Sequence, residues 1–232
     1  MNNADKTDGA LLYEPEKRSV TEMIDKTGLI IIVRGVPSEK LPQLAEALYD
    51  GGVRLLEVTF DACGKKTDAE TAADIETLAK KFKGRMYIGA GTVLTKGQVR
   101  LTKKAGGCFI ISPNTYKDVI TESRMCGLVS IPGAMTTTEI NNAHNFGADY
   151  VKLFPVTNLG AGYVKAVKAP LGHIKMLAVG GINEKNIGEY LKAGVSGFGV
   201  GSNIINGEYL KNNDFKAITE LAKKYTEAIK NG

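Results

Sequence analysis

Lys152 is the residue most out of place in this 232-residue chain. It stands inside the apolar run Tyr150–Phe154, where a solvated ammonium has no natural home. Strand alternation puts Tyr150, Lys152 and Phe154 on one face and Val151 and Leu153 on the other. Turned into a packed interior, the amine would lose its hydration, its pKa would fall, and the neutral form could attack a carbonyl carbon. A lysine here could equally snorkel from a strand end or pair with a buried acid. Glu57 carries the same anomaly: Leu55, Glu57 and Thr59 alternate with Leu56, Val58 and Phe60. An inward carboxylate needs a partner, and Lys152 is a candidate. Such a pair suits Schiff-base chemistry with the carboxylate moving protons, and it suits a stabilising ion pair just as well.

A third feature is glycine at the ends of two late apolar runs, Gly180-Gly181 and Gly201-Ser202. Glycine lets backbone N–H groups approach a phosphate closely. Asn183 and Asn203 stand where short helices would begin, and helix N-termini favour anions. The plainer reading is turn-making glycine. Other candidates carry less. Cys63, Cys108 and Cys126 show no CxxC or Cys/His spacing, so neither a metal site nor a disulfide framework is expected. His144 and His173 read as isolated surface histidines, Cys108 and Cys126 as small core residues.

These residues need elements to place them. Eight short runs recur along the chain: Leu29–Val33, Leu55–Val58, Met86–Ile88, Cys108–Ile111, Leu128–Ile131, Tyr150–Phe154, Lys175–Val179 and Gly197–Val200. Amphipathic stretches such as SEKLPQLAEALYDGG and DAETAADIETLAKKFKG lie between them. N-caps are expected at Ser38, Asp68, Thr95 and Asn183. Helix-ending glycines are expected at Gly51, Gly84, Gly106, Gly127, Gly147 and Gly194. Strands alternating with helices pair in parallel, and about eight such units in one domain predict an α/β fold of the closed (β/α)8 TIM-barrel type. An open doubly wound sheet would show GxGxxG after its first strand, where this chain reads RGVPSEK. The expected layout is a polar tail over residues 1–17 and a single barrel domain over 18–232, opening with a helix around Val20–Lys26.

Composition removes other classes. Thirty Lys+Arg against 25 Asp+Glu gives +5, but the lysines are scattered, aromatics are 7% and tryptophan is absent. A nucleic-acid surface would want a basic stripe with stacking aromatics. No apolar run approaches the roughly 18 residues that span a bilayer, and the start MNNADKTDGA does not read as a signal peptide. No nucleic-acid or membrane partner and a cytoplasmic location are therefore expected.

In order along the chain stand IIVRG, GGVRLLEVTF, GAGTVL, FIISPN, SIPGAMTTTEI, VKLFP, GGI and VGS. From about Leu29 to Ser202 the sequence resembles the 2-keto-3-deoxy-6-phosphogluconate and 4-hydroxy-2-oxoglutarate aldolases, class I enzymes with a (β/α)8 fold. The resemblance implies Lys152 as the Schiff-base lysine and Glu57 as the general acid/base. It implies Arg34 and Thr92 near the keto-acid carboxylate, Pro113 and Phe154 as pocket walls, and Gly180, Gly181, Gly201 and Ser202 as the phosphate cradle. It also implies a homotrimer that needs no cofactor.

The chain departs from the family pattern at two places. Studied members carry arginine four residues after the glutamate, where this chain has Asp61, and Pro-Thr before the glycine pair, where it has Ala178-Val179. An inward Asp61 would repel a substrate carboxylate, so Asp61→Arg is expected to lower the KM. The expected reaction is cleavage of 2-dehydro-3-deoxy-6-phosphogluconate to pyruvate and glyceraldehyde 3-phosphate. Alternatives are 4-hydroxy-2-oxoglutarate or 2-dehydro-3-deoxy-6-phosphogalactonate as substrate. A different phosphate-binding barrel enzyme, or a non-catalytic barrel that binds sugar-acid phosphates, are the further ones.

Overall fold

A computed structural model describes residues 16–232. The expected polar tail lies outside the described residues up to 15, and the first helix, α1 (Lys17–Thr27), already begins at its end. Strands and helices then alternate. The strands are β1 (Leu29–Val33), β2 (Leu55–Thr59), β3 (Tyr87–Gly91), β4 (Phe109–Ile111), β5 (Val129–Ile131), β6 (Gly133–Ala134), β7 (Val151–Leu153), β8 (Met176–Val179) and β9 (Gly197–Val200). The helices are α2 (Leu41–Asp50), α3 (Asp68–Lys81), α4 (Lys96–Lys104), α5 (Lys117–Met125), α6 (Thr137–Asn145), α7 (Gly160–Lys168), α8 (Ile187–Lys192), α9 (Gly207–Lys211) and α10 (Phe215–Lys230).

All strand pairs are parallel, in the order β5-β4-β3-β2-β1-β9-β8-β7-β6. The two outer members, β5 and β6, are halves of one strand broken at Pro132, which has no N–H to give to a ladder. β5 pairs with β4 and β6 with β7, so the sheet closes on itself through the broken strand. The seam is completed by Tyr150 N–H donating to the Ser130 carbonyl (3.3 Å), Lys152 N–H to Pro132 (2.8 Å) and Phe154 N–H to Ala134 (3.1 Å). The nine strand segments thus make a nearly closed, TIM-barrel-like single domain.

Closure divides the core in two. Outward strand residues such as Ile31, Val58, Ala90, Val151 and Phe198 pack under the helices. The barrel's lower interior is filled by Ile30, Leu55, Phe109, Val129, Tyr150 and Leu177, together with Val20 and Ile24 of α1. Val20 and Ile24, one helical turn apart, face the barrel and make α1 a plug over the N-terminal ends of the strands. The Tyr150 hydroxyl donates to Asp25 Oδ1 at 2.7 Å, and Lys175 reaches Asp25 Oδ2 at 2.7 Å, which fastens the plug to β7 and β8.

Local signals were displaced by a residue or two. The cap of α3 is Thr67, not Asp68, in a reciprocal capping box with Glu70; Thr95 makes the same box with Gln98 for α4. Ser38 opens a single 3-10 turn rather than α2. Asn183 accepts from the N–H groups of Lys185 and Asn186, capping a turn, and the helices near the two glycine pairs begin only at Ile187 and Gly207. At the end of α2 it is Gly52 (φ 92°), not Gly51, that takes the left-handed conformation.

The plug gives a stability expectation. Ile24 is fully buried, so Ile24→Ala should lower the unfolding free energy by about 2–5 kcal/mol. Urea unfolding followed by circular dichroism measures this, and an unchanged midpoint would mean that α1 is not packed into the barrel.

Candidate active site

Period two carries its promise into the barrel. Glu57 on β2 faces inward with no accessible surface, and Lys152 on β7, 6% exposed, comes from the opposite arc of the sheet. An inward glutamate fits only because β3 offers glycine at its inward positions. A Cβ on Gly91 would lie 1.5 Å from Glu57 Oε1, and one on Gly89 would strike the Phe109 ring at 2.3 Å. The alternation in GAGT is therefore a space requirement.

Neither carboxylate oxygen of Glu57 has a hydrogen-bond partner. Burial lifts the Glu57 pKa, against the pull of the Lys152 and Arg34 charges. Burial likewise lowers the Lys152 pKa, with Glu57 opposing and Arg34 assisting. Both groups are pushed toward their neutral forms for the same reason: a dry site disfavours charge. The Lys152 ammonium position lies 4.7 Å from the centre of the Phe154 ring.

The other expected residues gather above this pair. A cavity of about 470 Å³ is lined by Arg34, Thr92, Pro113, Lys152, Phe154, Gly180, Gly181, Gly201 and Ser202; Glu57 lies beneath it. Arg34, just past β1, donates to Thr92 Oγ1 at 3.0 Å. Thr92 holds φ 55°, an uncommon conformation for a β-branched residue, at the mouth itself. Gly180 and Gly181 are both left-handed (φ 100° and 70°), and a Cβ on Gly181 would meet Thr157 Oγ1 at 2.9 Å. Sequence reading missed Ile32 and Gly199, which also line the cavity together with Asn203. Val179 covers Gly199, whose added Cβ would approach its Cγ2 at 2.8 Å. Asn203 donates to the Ile182 carbonyl at 2.7 Å, tying the two glycine loops together. The two histidines, expected to be isolated, touch each other at 5.2 Å between ring centres, and neither lines the cavity.

A second cavity of about 530 Å³ lies between the loops that follow β1 and β2. Lys152 lines only the smaller of the two, and Glu57 lines neither. Asp61 belongs to the second cavity and not the first. The expected repulsion needs Asp61 turned toward the substrate; instead its carboxylate accepts from the backbone N–H groups of Cys63, Lys65 and Lys66. Among the described residues no cluster of three or more His, Cys, Asp or Glu is placed to hold a metal ion, and no helix is long and apolar enough to cross a membrane.

An enclosed amine with a lowered pKa, a buried carboxylate with a raised one, and a glycine-built anion cradle form a constellation suited to imine chemistry on a phosphorylated keto acid. Comparison with known proteins points the same way. The family model described as KDPG and KHG aldolase matches residues 20–221. A probable 2-dehydro-3-deoxy-6-phosphogalactonate aldolase of Rhizobium meliloti is 35% identical, over 76% of this chain and 81% of that protein. The 2-dehydro-3-deoxy-6-phosphogalactonate aldolase of Escherichia coli is 31% identical over 88% of this chain and 97% of its own length. A crystal structure of KDPG aldolase from Legionella pneumophila, with pyruvate captured at low pH as a covalent carbinolamine, superposes with a TM-score of 0.75. It is 33% identical and covers 85% of this chain and 93% of its own.

The buried carboxylate fixes the sign of a pH effect. Because the folded-state pKa of Glu57 is raised, the native state loses stability as the pH climbs from the ordinary carboxylate range through that raised value. Glu57→Gln should therefore be more stable than the unaltered protein at pH 7, with the gap closing toward pH 4. Urea midpoints across that range measure it; a gap that widens toward acid would mean Glu57 is held as a stabilised anion.

Proposed function

The chain belongs to the KDPG and KHG aldolase family, and from that premise we propose that this carbon–carbon lyase works through a Schiff base on Lys152. The substrate class is a 2-dehydro-3-deoxy-6-phospho sugar acid, cleaved to pyruvate and glyceraldehyde 3-phosphate. One observation carries the reading: the amine of Lys152 lines the cavity and the buried, unpartnered carboxyl of Glu57 shares the same barrel interior, both biased toward neutrality.

Lys152 Nζ attacks the C2 ketone to form a carbinolamine, whose hydroxyl takes the proton of the neutral Glu57 carboxyl and leaves as water, giving an iminium and a Glu57 carboxylate. The iminium is an electron sink, so the C3–C4 bond breaks as the Glu57 carboxylate removes the C4 hydroxyl proton. The aldehyde departs, leaving an enamine. Glu57, now protonated, returns a proton to C3, and water hydrolyses the resulting iminium to pyruvate and free lysine. A carboxyl of raised pKa suits this two-way traffic, since an efficient proton carrier titrates near the working pH. Arg34 and Thr92 hold the substrate carboxylate, Pro113 and Phe154 flank the reacting carbons, and Gly180, Gly181, Gly201 and Ser202 receive the phosphate. The carbinolamine named for the Legionella relative supports the first step.

The gluconate-derived compound is the first reading for the substrate. Its galactonate epimer is a second, favoured by the names of the Rhizobium and Escherichia relatives. 4-Hydroxy-2-oxoglutarate would leave the glycine cradle without a phosphate. By family resemblance the working form is a cytoplasmic homotrimer, whose mass sedimentation velocity would read.

Two experiments test the chemistry. Pyruvate with borohydride should add a reduced three-carbon unit to the peptide containing Lys152; labelling elsewhere in an active preparation would refute the assignment. Glu57→Gln should keep that labelling while pyruvate release falls about 10²–10⁴-fold. Comparing kcat/KM for the two epimers decides between the substrate readings.

A further inference from the structure

Asp61 stands two residues past β2, at the start of the loop that walls the second cavity. Its Oδ1 accepts from Cys63 N–H at 2.8 Å, and its Oδ2 from Lys65 N–H at 2.7 Å and Lys66 N–H at 3.0 Å. Those backbone bonds, that from Cys63 foremost, hold the carboxyl below the usual carboxylate range. Gly64, at φ 75°, makes the turn between them. The folded loop aims Lys66 outward along a definite path. Its ammonium pairs with Asp74 on α3 and donates to Ser38 Oγ at 2.9 Å, on the loop that follows β1. Arg34 begins that same loop, and its guanidinium lies between the two cavities. Thr92 holds it on the side of the reacting pair; the latched loops form the other side.

We infer that Asp61 is a positioning residue for substrate binding: by folding the loop through Lys66 and latching it to Ser38, it fixes the far wall of the second cavity and keeps the Arg34 guanidinium aimed at the keto-acid carboxylate. Asp61 touches no reacting atom, and its charge is spent on three N–H groups. The role is opposite in sign to the repulsion that the sequence suggests. The inference rests on the reading of Arg34 as the carboxylate ligand. Freed from the latch, that wall gives way, Arg34 gains room to turn into the second cavity and away from Thr92, and each binding event must then select the competent orientation.

Opposite signs make the test decisive. Steady-state pyruvate release from 2-dehydro-3-deoxy-6-phosphogluconate is measured for Asp61→Ala, Asp61→Asn, Asp61→Arg, Arg34→Ala and the double variant Asp61→Ala/Arg34→Ala. Thermal melts confirm that each is folded. Asp61→Ala should raise KM about tenfold, the scale of one lost charge-assisted contact, with kcat within about twofold. Asp61→Asn should lie between, because one amide oxygen can keep the Lys65 and Lys66 bonds, and it carries the comparison if the alanine variant does not fold. Asp61→Arg should raise KM at least as much as alanine. In the double variant the two KM effects should fail to multiply, since Asp61 acts through Arg34. A fall in KM for Asp61→Arg overturns the inference in favour of repulsion, and fully multiplicative effects overturn it by separating the two residues. If Arg34→Ala raises KM while every Asp61 variant leaves it unchanged, the inference alone fails. If Arg34→Ala leaves KM unchanged, the carboxylate reading fails first and the inference with it.

Discussion

Everything in this barrel answers to the cost of taking an ammonium and a carboxyl out of water. Isolated charges in a dry interior cost far more than a protein's net stability, so such groups lose charge, gain partners or stay near solvent. No ion pair joins Lys152 to Glu57, and neither Glu57 oxygen has a hydrogen-bond partner. The energetically cheap response is neutralisation, and both pKa values move that way. The same desolvation that penalises the folded chain favours the free amine of Lys152 and the protonated acid of Glu57. Chemistry and instability share one cause.

The architecture looks organised around making that dryness one-sided. The plug of α1 and the apolar layer of Phe109, Val129, Tyr150 and Leu177 seal the barrel from below. Inward glycines make the room this needs: Gly89 for the Phe109 ring, Gly91 for the Glu57 carboxylate and Gly199 for Val179 at the cavity wall. The seam at Pro132 lies beside β7, so the backbone of Lys152 is held by the Pro132 carbonyl on one flank while Leu177 lies in register on the other. A side chain that must sit within a fraction of an ångström of its target is thus placed on a strand bonded on both sides and not on a loop.

How much of this could be read from the sequence depends on the range of the interaction involved. Lys152 and Glu57 stood out because strand alternation is local and the flanking residues are apolar, so their inward orientation followed from four or five neighbours. The barrel followed from the recurrence of strand, helix and glycine. The role of Gly91 did not, because it is defined by contact with a residue 34 positions earlier. Asp61 misled for a related reason. Its type and distance from Glu57 suggested a charge at the mouth, but an aspartate followed by a glycine-containing turn can spend its carboxylate on nearby N–H groups, and here it does. The caps at Thr67 and Asn186 were displaced from Asp68 and Asn183 because several adjacent residues were chemically able to cap, and the local sequence does not rank them.

Arg34 alone, among the described residues, lines both cavities. The two chambers therefore differ in what they can tolerate. The inner one is bounded by Lys152, Thr92 and the glycine pairs, groups to which the proposed reaction gives a task. The outer one is bounded by Val36, Leu41, Phe60 and the lysines of a surface loop, none of which meets the reacting carbons. An inhibitor that anchored an acidic group on Arg34 and extended an apolar arm outward would take charge recognition from the inner chamber and shape recognition from the outer one.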